Sequence, residues 1–306
     1  MRRRALLIIN RNSRSGAEDA ERIRARLAGC GIEVFEPKPT LHAEICDVIR
    51  NHRQKVDMIV VGGGDGSLNA VAPALVECGL PLGVIPLGTA NDLARTLSIP
   101  PDPDQACMII GAGCRHRIDL GRVNGRYFFN VAHIGLGARV THTVSGPAKR
   151  QLGAFAYFAA LARALRSTRT FHALIDCDGR RLEMDAVQIA VGNGRYFGGG
   201  TTVAAAAAID DGRFFLCGVE PLGWREVIRM ALRARALYAG RFEERDPVQV
   251  EQGREIFVHT RRPMIISADG ELVGRTPARF ELLERAVEVF VPQAYLENEV
   301  KHVAQG

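Results

Sequence analysis

A glycine-rich segment with one carboxylate follows an apolar run near the end of the first quarter of the chain. It reads GGGDGS, and the four residues before it are apolar. Glycine lets a backbone bend sharply or approach another group closely. When such a turn opens a helix, its N–H groups can bind phosphate oxygens. The segment predicts a phosphate-binding loop formed by Gly62, Gly63, Gly64, Asp65, Gly66 and Ser67.

A second segment, residues 86–95, follows the next apolar run in the same way. It reads PLGTANDLAR and supplies Gly88, the Thr89 hydroxyl and the Asp92 carboxylate. Alone it fits a normal helix start, with Thr89 as the N-cap and Asp92 three residues later. Beside the first loop, it predicts a site with two carboxylates and many backbone donors. A third segment, Asp269-Gly270-Glu271, predicts a hairpin turn when taken alone.

The elements around the first two segments alternate between strand and helix. Short apolar runs that alternate with helical patterns predict βαβ units and a parallel sheet. Ligands bind open α/β sheets at the carboxyl edge, where both loops are expected. The predicted strands are 5–9, 32–35, 58–61 and 81–85, and the predicted helices are 15–28, 43–51, 68–78 and one that begins at 89.

The pattern changes after the proline-rich residues 100–103. Many short strands follow, joined by Asp-Gly and Asn-Gly turns, which is typical of an antiparallel sandwich or barrel. We therefore place a domain boundary near residue 119. The predicted strands are 117–120, 127–134, 171–177, 187–191, 214–219, 255–259, 264–267, 279–283 and 287–291.

The amino-acid composition limits the type of partner and the cellular compartment but does not identify an activity. The chain has 40 basic and 34 acidic residues, a mild excess that fits an anionic substrate or a membrane surface. Its seven cysteines form no CxxC pair, which indicates free thiols in a reducing compartment. No segment approaches the roughly 18 apolar residues that a membrane-spanning helix needs. We expect a cytoplasmic protein, with peripheral contact on the inner membrane face as an option and no nucleic-acid partner.

Together, the three acidic segments resemble the diacylglycerol kinase catalytic-domain family. That family includes sphingosine and ceramide kinases and is distantly related to NAD kinases and phosphofructokinases. Its GGDGT, GTxNDxAR and DGE motifs match residues 63–67, 88–95 and 269–271. Its opening NPxxG motif matches residues 10–16, with Arg11 in place of proline. The likeness runs in order along nearly the whole chain.

The resemblance implies a fold and a reaction. The expected fold is a Rossmann-like three-layer α/β domain with the GGDG loop, followed by an antiparallel β-sandwich domain, as in NAD and diacylglycerol kinases. Residues 1–119, with 291–306 returning, would bind nucleotide, and residues 120–290 would bind the lipid. The expected reaction transfers the γ-phosphate of ATP to a hydroxyl of a membrane lipid such as diacylglycerol or a sphingoid or ceramide-like lipid.

The resemblance also implies roles for individual residues. The cofactors would be ATP and Mg²⁺, with Asp65, Asp92 and Glu271 as candidate metal ligands. The first choice for the general base is Asp269, because the family's DGE aspartate often has that role, and Asp65 is the rival, as in the sphingosine-kinase branch; the sequence does not separate the two. A second, structural metal in some relatives points to Asp210 and Asp211, although here a run of alanines precedes them and a solvent-exposed turn is favoured. The phosphates would be held by Asn10, residues 62–67, Gly88, Thr89, Asn91 and Glu271.

Two groups of basic residues could contact a lipid surface. Residues 222–241 predict a helix with Arg225, Arg229 and Arg233 on one face, which fits either anionic lipid or plain solvent. Lys149 and Arg150 raise the same choice.

The sequence lacks GxSxG, HExxH and zinc-ligand spacing. The rivals are a kinase for a soluble acceptor, NAD or a sugar phosphate, and a non-catalytic lipid-binding relative. Nothing in the sequence predicts the oligomeric state.

Overall fold

The chain divides into two units, residues 1–120 with 284–306 and residues 121–283. Two strands, residues 115–123 and 278–290, each have residues in both units. The computed structural model describes residues 3–9, 16–37, 44–135, 170–193, 196–197, 201–202, 208–221 and 248–297. No helix in this described part is long and apolar enough to cross a membrane.

The first unit is an α/β layer structure around a parallel sheet. The strand order is β2-β1-β3-β4, with β18 next to β4, and all these pairs are parallel. Strands β3 and β4 are buried along their whole length, as their continuous apolar sequence predicts. The elements are β1 (Arg3–Ile9), α1 (Gly16–Gly29), β2 (Ile32–Phe35), α2 (Ile45–His52), β3 (Met58–Gly63), α3 (Asp65–Cys78), β4 (Leu82–Pro86), α4 (Asp92–Thr96) and α5 (Pro103–Ala112).

The described part of the second unit contains two large antiparallel sheets and a small two-stranded one, formed by residues 196–197 and 201–202. One has the order β14-β13-β10-β7-β16-β17, and the other runs β18-β15-β8-β9. Its elements are β5 (Arg115–Val123), β6 (Arg126–Phe128), β7 (Val131–Gly135), β8 (Phe171–Cys177), β9 (Arg180–Ala186), β10 (Gln188–Gly192), β11 (Tyr196–Phe197), β12 (Thr201–Thr202), β13 (Phe214–Val219), β14 (Val248–Gly253), β15 (Glu255–Thr260), β16 (Ile265–Ala268), β17 (Glu271–Arg275) and β18 (Ala278–Phe290).

Alternating side chains from both sheets of the second unit form one apolar core. Strand β8 alternates between buried and more exposed positions, as expected for a sheet with one face on the core. The rings of Phe128 and Phe214 stack in this core with centroids 5.8 Å apart. The predicted fold class, an α/β domain followed by an antiparallel β domain, is therefore confirmed.

The structure differs from the predicted elements at several places. Helix α5 was not predicted, although Asp102 accepts a hydrogen bond from the Asp104 N–H and proline occupies the first turn. Strands β9, β14 and β17 were also missed. The two predicted strands 279–283 and 287–291 are one strand, β18. In the sequence, the polar residues Glu284 and Arg285 interrupt the apolar pattern. In the structure, Arg285 has a positive φ of 48° and its N–H donates to the Asp119 carboxylate, while the strand continues.

A buried histidine lies on the six-stranded sheet of the second unit. His133 of β7 is 8 % exposed and faces Ser267 of β16 and Ala190 of β10 in the strand register. Its Nδ1 lies 3.4 Å from the amide nitrogen of Gln188. Burial lowers the pKa of His133 to about 4, so the ring is neutral at physiological pH.

We expect this histidine to make the fold acid-sensitive. The unfolded chain binds the proton near pH 6.5 and the folded chain only near pH 4, so stability falls as the pH falls through that window. The shift corresponds to a loss of about 3 kcal/mol. In urea unfolding between pH 7 and pH 4, His133→Gln should lose less stability than the wild type. His172→Gln is the control, since His172 lies at the surface beside Asp185; equal pH dependence of all three proteins would contradict the assignment.

Candidate functional site

Asp65 connects two helices of the first unit through hydrogen bonds. It is the first residue of α3, and its carboxylate accepts the N–H of Asp92 at 3.2 Å and of Leu93 at 3.1 Å. Both N–H groups belong to the first turn of α4, which has no partner for them within its own helix. Asp65 therefore caps α4 from the neighbouring helix, and its negative charge lies at the positive end of that helix.

The start of α4 differs from the prediction for Thr89. The helix begins at Asp92, and its N-cap residue is Asn91, in a left-handed conformation with φ 51°. The Asn91 side chain closes the preceding turn: its oxygen accepts the Gly88 N–H and its nitrogen donates to the Gly88 carbonyl, both at 2.9 Å. Thr89 is exposed and lies outside the helix. The predicted Thr89 cap is wrong because Asp65 supplies the cap instead.

The glycines of the two loops contact each other. A β-carbon on Gly88 would lie 2.4 Å from the Gly64 Cα, and one on Gly64 would lie 3.1 Å from the Gly88 Cα. A β-carbon on Gly63 would lie 2.5 Å from the Ser67 hydroxyl, and one on Gly62 would touch Ile9 and Leu87. The glycines thus allow the loops to pack together at the carboxyl ends of β3 and β4.

The N-cap residue of α3 has no side chain that could cap the helix, in contrast with α4, which Asp65 caps. This residue is Gly64, in an extended conformation. The Ser67 and Leu68 N–H groups turn back to the Gly64 carbonyl, at 3.0 and 3.2 Å. The first N–H groups of a helix and its dipole attract anions. Of these two neighbouring helix ends, α3 is therefore the one suited to a phosphate.

Asp269 is held by three successive N–H groups of the second unit. It lies in the turn between β16 and β17 with φ 44°. The Phe129 N–H donates to one carboxylate oxygen at 2.7 Å and the Val131 N–H to the other at 2.9 Å. The Asn130 N–H is shared by the two carboxylate oxygens, with its nitrogen 3.1 Å from one and 3.3 Å from the other. Each oxygen therefore accepts two of these contacts, which fixes the plane and direction of the carboxylate.

Sequence reasoning missed the role of residues 129–131 and of Asn193. Asn193 follows β10 and is 2 % exposed. Its side-chain nitrogen donates to the Phe129 carbonyl at 2.8 Å, and its N–H donates to the Asn130 carbonyl at 2.7 Å. The available signal was an Asn-Gly pair directly after a buried strand. That pair does not show which chain segments meet.

The remaining predicted site residues have simpler surroundings. Glu271 is exposed at the start of β17. The two oxygens of Asp211 accept the N–H groups of Ala208 and Arg213, so this carboxylate closes a local turn next to Asp210. Within the described ranges, no group of three or more His, Cys, Asp and Glu side chains is arranged to hold a metal ion. Outside those ranges lie Asn10, Lys149, Arg150 and the predicted helix 222–241.

We expect Gly88→Ala to destabilise the first unit. The added methyl group would meet the Gly64 backbone, which cannot rotate away as a side chain could. Overpacking of this kind costs about 1–3 kcal/mol, measurable by urea unfolding. Gly29→Ala is the matched control, because a β-carbon there meets no atom within 4 Å. Equal stability of the two variants would show that the loops do not pack as described.

Two family models divide the chain at nearly the same place as its two units. The model of the diacylglycerol kinase catalytic domain matches residues 4–123. The model of the YegS C-terminal NAD kinase beta sandwich-like domain matches residues 130–291. The two halves of the chain therefore match models that occur in kinases.

Comparison with individual proteins gives the same result. A diacylglycerol kinase of Staphylococcus aureus strain MRSA252 is 31 % identical, over 98 % of this chain and 96 % of the relative. A crystal structure of a putative diacylglycerol kinase from Bacillus anthracis strain Sterne has a TM-score of 0.79 and 26 % identity, over 95 % and 98 % of the two chains. A second structure from that strain has a TM-score of 0.74 and 23 % identity, at the same coverage. The chain belongs to the diacylglycerol kinase family of lipid kinases.

Proposed function

We propose that the protein transfers the γ-phosphate of ATP to a hydroxyl of a membrane lipid, with diacylglycerol as the first candidate. The observation that carries this proposal is the pair of helix ends at the carboxyl edge of the parallel sheet. Asp65 caps α4, whereas α3 starts at a glycine without a side-chain cap. A carboxylate therefore lies at a helix end that is suited to an anion. The acceptor is taken from the relatives, whose printed name is diacylglycerol kinase.

ATP phosphates would bind at the start of α3. Gly64 and Gly66 present backbone there without side chains, and the Ser67 hydroxyl lies over Gly63. The turn at Gly88, which packs against Gly64, would line one side of this phosphate site, and the exposed Thr89 follows it in the chain. Asn10 and Glu271 complete the proposed set on family resemblance. Phosphoryl transfer depends mainly on such positioning and on charge neutralisation.

The acidic side chains of the first unit suit a magnesium ion. Mg²⁺ prefers oxygen ligands, keeps several waters and needs only one or two carboxylates. Asp65 accepts one N–H on each oxygen, so each oxygen keeps a lone pair for a ligand. Asp92 supplies a second carboxylate at the start of α4, and Glu271 is the third proposed ligand. When bound, the ion would neutralise charge on the phosphates.

The hydrogen bonds support a choice between the two candidate bases. Asp269 accepts three N–H groups, one of them shared by its two oxygens, so fewer of its lone pairs are left for a proton from a substrate hydroxyl. Each oxygen of Asp65 takes one. The geometry therefore favours Asp65 as the proton acceptor, with Asp269 fixing the turn that carries Glu271.

The acceptor can be identified with labelled ATP and a panel of substrates. We expect magnesium-dependent phosphorylation of diacylglycerol in mixed vesicles, with ceramide, monoacylglycerol and phosphatidylglycerol as the lipid comparisons. NAD and a sugar phosphate test the soluble-acceptor alternative. Phosphorylation of NAD alone would replace the lipid proposal. ATP binding without transfer to any acceptor would support the non-catalytic relative.

Two asparagine variants test which carboxylate is the base. We expect Asp65→Asn to lower kcat by about 10²–10⁴ and to remove the acid limb of the pH–rate profile. Asp269→Asn should also lower kcat, because an amide nitrogen would face N–H donors, but its acid limb should remain. Thermal melts serve as the control, since loss of the α4 cap alone costs about 1 kcal/mol. The reverse pattern of acid limbs would assign the base to Asp269.

A further inference from the structure

Asn193 is connected to Asp269 through two peptide groups. The carbonyl of Phe129 and the N–H of Asn130 belong to the same peptide plane, and so do the carbonyl of Asn130 and the N–H of Val131. Asn193 donates to both carbonyls, at 2.8 and 2.7 Å. The N–H groups on the opposite sides of these planes donate to Asp269.

We propose that Asn193 is a positioning residue that orients the carboxylate of Asp269 through the backbone. In a trans peptide the carbonyl and the N–H point in opposite directions, so a donor on the carbonyl fixes where the N–H points. Hydrogen bonds in a chain also polarise one another, which strengthens the contacts to the carboxylate. Asn193 makes both contacts from a buried position where water does not compete.

The third donor to Asp269 provides an internal comparison. The Phe129 N–H makes the shortest contact, 2.7 Å, and its peptide carbonyl belongs to Phe128. The two Asn193 contacts are to the next two carbonyls along the chain. A side-chain change at Asn193 removes only the contact to the Phe129 carbonyl. It should therefore act on the Asn130 N–H more than on the N–H groups of Phe129 and Val131.

The test is Asn193→Leu, which keeps the size of the side chain and removes its donor. In amide NMR spectra, the Asn130 proton should move upfield and exchange faster by up to about tenfold, while the Phe129 proton stays unchanged. Equal changes at Phe129 and Asn130 would mean general loosening and would overturn the proposal, as would no change at Asn130. This measurement does not depend on which substrate the protein uses.

The kinetic arm rests on the proposed kinase function. Misorientation of a positioned group should lower kcat for the lipid by about tenfold or more, with the KM for ATP unchanged. The control is Asn124→Leu, since the Asn124 side chain also donates to backbone carbonyls of this unit, those of Arg275 and Pro277. That variant should lose stability but keep kcat and the Asn130 signal. A wild type that phosphorylates no acceptor would overturn the proposed function, while the NMR result would still decide the role of Asn193.

Discussion

Backbone N–H groups hold the carboxylates of Asp65 and Asp269, one in each unit of the chain. The first turn of α4 holds Asp65, and the successive N–H groups of residues 129–131 hold Asp269. A backbone donor is fixed by the strand or helix that carries it, so it orients a carboxylate without ordering another flexible side chain. The position of each carboxylate therefore depends on the packing of its own unit.

The glycine cluster satisfies a packing requirement as well as a ligand requirement. Glycine-rich loops are usually interpreted through the phosphate that they bind. Here the closest contact of a Gly88 side chain would be the Gly64 backbone. The Gly64 and Gly88 loops must pack closely for the start of α3 and the Asp65-capped start of α4 to lie side by side at the edge of the sheet. The same glycines therefore serve the fold and the proposed phosphate site.

The sequence predicts the parts of this site that depend on local patterns. The apolar runs before Gly62 and Gly88 predict β3 and β4, and the Asp269-Gly270 pair predicts a turn. Contacts between distant segments are different: Asp65 caps a helix 27 residues away, and Asp269 is held by residues about 140 positions earlier. The Thr89 prediction was wrong for this reason, because a local capping rule cannot detect a cap supplied by another helix. The polar residues Glu284 and Arg285 also hid the length of β18, which the sequence divides into two short strands.

A held carboxylate and a reactive carboxylate place opposite demands on the same oxygens. Hydrogen bonds that fix a carboxylate use the lone pairs that a metal ion or a proton would need. Among the described residues, Asp65 accepts one N–H on each oxygen, whereas Asp269 accepts three N–H groups that fix a turn and leave less capacity for a ligand. A family motif that contains an aspartate therefore does not by itself assign that aspartate a chemical step. The number of backbone donors on each oxygen is the structural property on which the roles proposed for Asp65 and Asp269 rest.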